Sequence, residues 1–315
     1  MSIFRLAHLS DPHLPPPQGA FGWRDLLSKR LLSRIAWRRK HREHQAQVLA
    51  AIVADIKAQA PDHIAVTGDL TNFASTVEFV AARRWLEVLG PAHDVTVSPG
   101  NHDALVGAPG PERFSPWTPW LGDTGQASFP QVRTRDGVAV FNLCSAIPTA
   151  LHLATGHLGH VQLERLDALL ADPAYRDLFR VVLLHHPPAP GAVAKRKQLV
   201  DQNGLRAILA RHGVDLVLHG HAHEALVATI AGPGEKMIPV LGVPSASAVG
   251  SHRHPAARWH AIAIDRAADG AVEVTVTARG LDANEQVAEL GRYVLTQAGR
   301  GPRQAALPIS AGSAS

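Results

Sequence analysis

Short apolar runs alternate with amphipathic helical stretches over about the first 220 residues, and no other feature restricts the possible fold as much. The strand-like runs are IFRLAHLS (3–10), HIAVTG (63–68), DVTVSP (94–99), VAVFNL (138–143), FRVVLLH (179–185) and VDLVLH (214–219). Helical spacing of apolar residues, as in Val48, Ala51, Ile52 and Ile56, marks stretches at roughly 43–59, 75–89, 159–171 and 203–212. Strands that repeatedly give way to helices predict an α/β sheet with helices on its faces. Beyond residue 225 the pattern changes. ALVATI, MIPVLGV, RWHAIAID and AVEVTVTA follow one another without helices, which predicts an antiparallel second sheet or layer.

Composition narrows the class. The 315 residues are 46% hydrophobic and 18% charged, ordinary for a folded chain and too apolar for a disordered one. No apolar run reaches the ~18 residues of a membrane-spanning helix. The start, MSIFRLAHLSD, enters a strand pattern without the charged leader and apolar core of a secretory signal. A single cysteine, Cys144, excludes an intrachain disulfide, so the expected location is the cytoplasm. No repeat or linker divides residues 1–296, which read as one domain. Residues 297–315, rich in Gly, Ser, Ala and Pro, read as a disordered tail.

The C-terminal ends of the strands carry the chemistry. The first ends in SDPH (Asp11, His13), the second in TGDLTN (Asp69, Asn72), the third in PGNHD (Asn101, His102, Asp103). The fifth ends in HHPP (His185, His186) and the sixth in HGHAH (His219, His221, His223). Ligands of open α/β sheets bind outside these ends. One Asp or Asn there is an ordinary turn former, but five such ends with His, Asp and Asn, and no G-x-S-x-G motif, favour metal binding. Imidazole, carboxylate and carboxamide without thiolate suit Mn, Fe, Zn or similar divalent ions, and the donors exceed what one ion needs. Two ions about 3.5–4 Å apart, sharing a carboxylate, account for the surplus.

In order, DPH (11–13), GD (68–69), GNHD (100–103), HHPP (185–188) and GHAH (220–223) resemble the motif set of the calcineurin-like metallophosphoesterase superfamily. PDHIAVTGDLTN, VSPGNHD and GHLGHVQLERLDALL make it most similar to the bacterial cyclic-nucleotide and glycerophosphodiester phosphodiesterase branch. The resemblance implies a four-layer αββα sandwich, two central mixed β-sheets flanked by helices. It also implies one ion held by Asp11, His13 and His223, another by Asn101, His185 and His221, and Asp69 bridging them. His102 then acts on the phosphoryl group and leaving group, with Asp103 orienting it, while His186 hydrogen-bonds beside the site or faces substrate, Asn72 faces substrate and His219 stays outside the ligand set. The implied activity is hydrolysis of a phosphodiester, of cyclic-nucleotide or glycerophosphodiester type, by a hydroxide generated between the ions. Pro12 and Ala222 depart from the commoner residues of their motifs, at positions that are not ligands.

One segment stands outside this scheme. Residues 14–42 form an insertion leaving directly from His13, and between Arg24 and Arg42 eight Lys or Arg residues face only Asp25. With Leu27, Leu31, Ile35, Trp23 and Trp37 it admits three readings: a helix packed on the body with solvated arginines, a lid for an anionic substrate, or a membrane contact through 21–42 at the inner face of the membrane. The alternative functions follow: a membrane-associated pyrophosphatase or phosphoesterase for a lipid-linked or nucleotide-sugar phosphate, or else a nuclease-like or non-catalytic binding subunit. The expected partner is a small-molecule phosphate ester. The net charge of +4 with no long basic path speaks against nucleic acid, and pairing through an exposed edge after residue 225 stays open.

Overall fold

The computed structural model describes residues 2–40, 42–107, 111–126, 128–251, 254–267 and 271–296. In chain order the elements are β1 (Ser2–Leu9), α1 (Lys29–Lys40), α2 (Ala46–Ala58), β2 (His63–Val66), α3 (Thr76–Leu89), β3 (Val95–Val97), α4 (Thr118–Leu121) and β4 (Gln131–Arg135). Then come β5 (Val138–Asn142), α5 (His160–Ala171), β6 (Phe179–Leu183), α6 (Gln202–His212), β7 (Leu216–His219), β8 (Leu226–Ala231), β9 (Met237–Gly242), β10 (Arg258–Arg266), β11 (Val272–Leu281) and β12 (Val287–Thr296).

Two six-stranded mixed sheets result, in the orders β12-β11-β10-β1-β2-β3 and β4-β5-β6-β7-β9-β8. Three apolar layers hold them. Phe4, Leu6, Val140, Val181, Leu216 and Ile262 fill the space between the sheets. Ile52 and Ile56 of α2 and Leu86 of α3 pack on the outer face of the first sheet, and Leu166 of α5 with Leu205 and Leu209 of α6 cover that of the second. Full burial of each such side chain contributes roughly 1.5–3 kcal/mol. Helix, sheet, sheet, helix is the four-layer αββα order.

The first half of the chain does not build one sheet. β1, β2 and β3 run parallel in the first, while β5, β6 and β7 run parallel in the second. Nor do the late strands form a separate antiparallel layer, as the absence of helices after residue 225 suggests. β9 pairs parallel with β7, and β8 antiparallel with β9, in the second sheet. β10, β11 and β12 return antiparallel beside β1 in the first. Among the described residues no helix is long and apolar enough to cross a membrane; residues 297–315 lie outside them.

Candidate metal centre

The parallel strands of both sheets end at one rim, and the ladders continue past the strands into the loops. Asp11 N–H donates to Gly68 O (3.1 Å) and His13 N–H to Asp69 O (3.0 Å), so the two loops lie side by side. In the other sheet Gly220 N–H donates to His185 O (3.1 Å). Ser245, after β9, joins the sheets by donating from Oγ to Asp11 O (2.6 Å).

Two buried carboxylates shape these loops. Asp103 accepts from the backbone amides of Asp69 (3.0 Å), Thr71 (2.8 Å) and Gly100 (2.9 Å) and from Thr71 Oγ (3.0 Å). Burial, with Asp69 beside it, pushes Asp103 up to about 7, while the Gly100 and Thr71 donors pull it back. Glu78 in the first turn of α3 gathers the amides of Asn72 (2.9 Å) and Ser75 (3.0 Å) in a capping box. Space is scarce: a Cβ on Gly220 would come within 2.5 Å of Asp11 Oδ2 and collide with Ser10 Oγ.

Asp11, His13, Asp69, His221 and His223 all adopt left-handed backbone, with φ of 50°, 41°, 56°, 66° and 57°. Each such residue costs on the order of 1–3 kcal/mol, and such residues gather where function needs an enforced geometry.

The side chains they carry meet. His223 Nε2 lies 3.1 Å from Asp11 Oδ1. Asp69 Oδ2 stands between two histidines, 3.4 Å from His185 Nε2 and 3.9 Å from His13 Nε2. His185 Nε2 is 3.2 Å from Asn101 Oδ1 and 3.2 Å from His221 Nδ1.

The tautomers decide what this cluster wants. His185 Nδ1 faces Thr67 O at 2.6 Å, and His221 Nε2 faces Lys197 O at 3.0 Å. A carbonyl only accepts, so both nitrogens carry the proton and the lone pairs of His185 Nε2 and His221 Nδ1 point at each other. The oxygens of Asp69 and Asn101 aim lone pairs into the same space. Only a cation or an extra proton relieves that arrangement. Burial opposes charging His185, yet Asp69 and Asp11 overcome it and push His185 up to about 9. Burial, with His186 and His185, holds His221 well below its ordinary value. The 3.2 Å nitrogen separation also fits two imidazoles sharing one tetrahedral ion at ~2.0–2.1 Å, which places them about 3.3 Å apart. Burial would raise Asp11 and Asp69, but the histidines around them (His223 and His185 for Asp11, His185 and His102 for Asp69) hold both carboxyls below the usual range. These residues fit a pair of divalent ions.

Three residues have partners that their motifs do not indicate. Asp103 is expected to orient His102, but its carboxylate organises backbone amides, and the His102 ring is held through Nδ1 by Asn72 O (3.1 Å). Asn72 is expected to face substrate; it is buried, accepting from His13 Nδ1 (3.2 Å) and donating to Leu14 O (2.7 Å). His186 is fully buried between Ser145 Oγ (2.7 Å) and Ala154 O (3.2 Å), packed on His221, and burial with His185 pushes it down to about 3. His219 stays apart, its Nδ1 on Gly220 O (3.0 Å). His44 escapes the sequence reading. It joins His13 and His223 in a group whose ligand atoms lie within 4.8 Å of one another. It sits at no strand end, and its only mark in the sequence is a histidine closing a charged run.

Comparison with known proteins agrees with this geometry. The calcineurin-like phosphoesterase family model matches residues 4–225, and the chain belongs to that family, a class of metal-dependent phosphoester hydrolases. A protein of Synechococcus sp. (strain ATCC 27144), named as a probable cyclic nucleotide phosphodiesterase, is 28% identical over 69% of this chain and 77% of its own. Two solved structures share the fold. A dimetal phosphatase from Danio rerio (TM-score 0.55, 13% identity) aligns over 91% of this chain and 98% of its own, and a yellow lupin purple acid phosphatase (TM-score 0.60, 11% identity) over 94% and 54%.

Proposed function

We propose that residues 1–296 form one catalytic domain that hydrolyses a small phosphodiester of cyclic-nucleotide or glycerophosphodiester type with two divalent ions, Mn, Fe or Zn. The buried convergence of Asp69, Asn101, His185 and His221 carries the reading, because with His185 Nδ1 and His221 Nε2 tied to carbonyls the other ring nitrogens and the two oxygens turn donor atoms into one space. Asp11, His13 and His223 would hold one ion and Asn101, His185 and His221 the other, with Asp69 between. Bound there, the ions would supply hydroxide near neutral pH and neutralise phosphate charge. The chain's own contribution is orientation and proton delivery. Asn72 O holds His102 through Nδ1–H, which leaves Nε2 for the substrate; as the imidazolium, with a second proton taken up from solvent, the ring would give its Nε2 proton to the leaving oxygen as the P–O bond breaks and be left neutral. The Synechococcus relative's name supports the substrate class.

The test is turnover of bis-p-nitrophenyl phosphate and 3′,5′-cyclic AMP by protein stripped with chelator and resupplied with Mn²⁺. Activity should return with metal and fall about 10²-fold or more in His102→Ala. Cleavage confined to phosphomonoesters would overturn the diesterase reading.

A second reading rests on the insertion. Trp23 is 77% exposed, Leu26 52%, Leu32 41% and Ile35 45%, on a segment rich in basic residues. That combination suits an anionic membrane surface beside the site, and with it a lipid-linked phosphate as substrate.

A further inference from the structure

The insertion begins at one histidine of the site and ends at another. Residues 14–43 leave from His13 and come back at His44, whose ring centre lies 4.6 Å from that of His13 and 5.7 Å from that of His223. His13 and His223 are themselves 5.4 Å apart, so three imidazoles close a triangle. We propose that His44 is a further ligand of the ion held by His13 and His223, so that this metal clips both ends of the insertion to the body; this rests on the dinuclear reading above.

Three observations support it. The ligand atoms of the three residues lie within 4.8 Å of one another, close to the roughly 4.2 Å that opposed imidazoles on one ion ~2.0–2.1 Å away span, so small side-chain adjustments bring them onto one ion. His44 is buried, and its ring is held in place. Nδ1 lies 2.9 Å from Ser247 Oγ and 3.3 Å from Ser245 Oγ, so Nε2 is the nitrogen for a ligand role. Fixing one ring nitrogen to orient the other is how proteins set metal-binding imidazoles. Finally, the surroundings are built for His44. Gln45 N–H donates to Ser247 O (2.8 Å) and Val249 N–H to Glu43 O (2.9 Å), while Trp37 of α1 stacks on the ring at 6.1 Å with planes 9° apart. Metal occupancy would thereby reach α1 directly, through Trp37.

Full-length protein, stripped with chelator, is titrated with Co²⁺ while visible absorption and stoichiometry are followed. Wild type should bind two ions. His44→Ala should lose about 10- to 100-fold in affinity at one site and shift only that site's absorption bands, and His44→Asp, which restores a donor, should recover part of both. In wild type, metal should also protect the insertion from trypsin, and in His44→Ala that protection should vanish. Two ions bound by His44→Ala with unchanged affinity and spectrum would overturn the proposal while leaving the dinuclear site standing. Fewer than two ions in wild type would overturn the dinuclear reading itself. If His44→Ala does not fold by circular dichroism, His44→Gln, a poor ligand of similar bulk, serves in its place.

Discussion

Asp69 sits where its charge matters more than its shape, with one oxygen facing two histidines and the other accepting from His102 N–H at 2.8 Å. Asp69→Asn keeps the volume and removes the charge that two cations would share. It should lower phosphoesterase activity by more than about 100-fold and weaken both proposed metal sites together, read by calorimetric titration. Gly220 is constrained by space instead. Gly220→Ala must displace Asp11 and Ser10, and the expected result is a folded protein, by circular dichroism, whose metal affinity has collapsed. Normal metal binding in that variant would contradict the crowding described here. Histidines of similar appearance in the sequence divide by what fixes their rings. His185 and His221 have one nitrogen tied to a carbonyl and the other turned into the site. In His186 both nitrogens are occupied away from it.

At the scale of elements, the insertion acts as a strap across the rim. Lys29 Nζ donates to Thr149 Oγ1 (2.6 Å) and Leu153 O (2.9 Å), after β5 of the second sheet. Arg30 donates to Phe73 O and Ala74 O (both 2.7 Å), after β2 of the first. Part of the basic charge therefore packs on the body, and the apolar residues left outside are those of the second reading. Replacing Trp23 and Leu26 together by Ser should reduce co-sedimentation with phosphatidylglycerol vesicles. Equal pelleting of variant and wild type would sink the membrane contact. The positions of α2, α3, α5 and α6 were legible from spacing alone, because each buries one stripe of apolar residues; α4, a single turn, was not. β4 and β12 were not, since their edge positions leave them half polar.

The whole molecule has a built-in sensitivity to acid. His8, His63 and His260 are buried on adjacent strands of the first sheet. Burial, with Arg133 and Arg135, pushes His63 down to about 3; burial, with Arg258, pushes His260 to about 4; burial, with His260, puts His8 well below its ordinary value. A histidine held neutral in the fold favours the unfolded chain once protons bind. The stability these groups contribute is therefore complete above about pH 6.5 and lost as pH falls towards the folded values, at up to about 1.4 kcal/mol per pH unit for each. Urea midpoints should fall steadily between pH 6.5 and 4, and less steeply in His63→Gln. A flat profile would mean that these rings protonate in place.

By itself the sequence determined which segments bury a face and the ingredients of the site, while the four-layer order followed from the family that its motifs resemble. Apolar periodicity specifies which segments bury a face, and five polar motifs at strand ends name donors that few chemistries but metal binding would use. Tertiary structure alone decided how the strands divide between two sheets, because pairing joins segments far apart in the chain, as β1 with β10 and β7 with β9. It decided that Asp103 builds loops and that Asn72 holds His13 and His102, since hydrogen-bond partners far apart in sequence leave no periodic trace. It also brought His44 back across 30 intervening residues to face His13, a contact set by the insertion's path over the rim and by no local pattern.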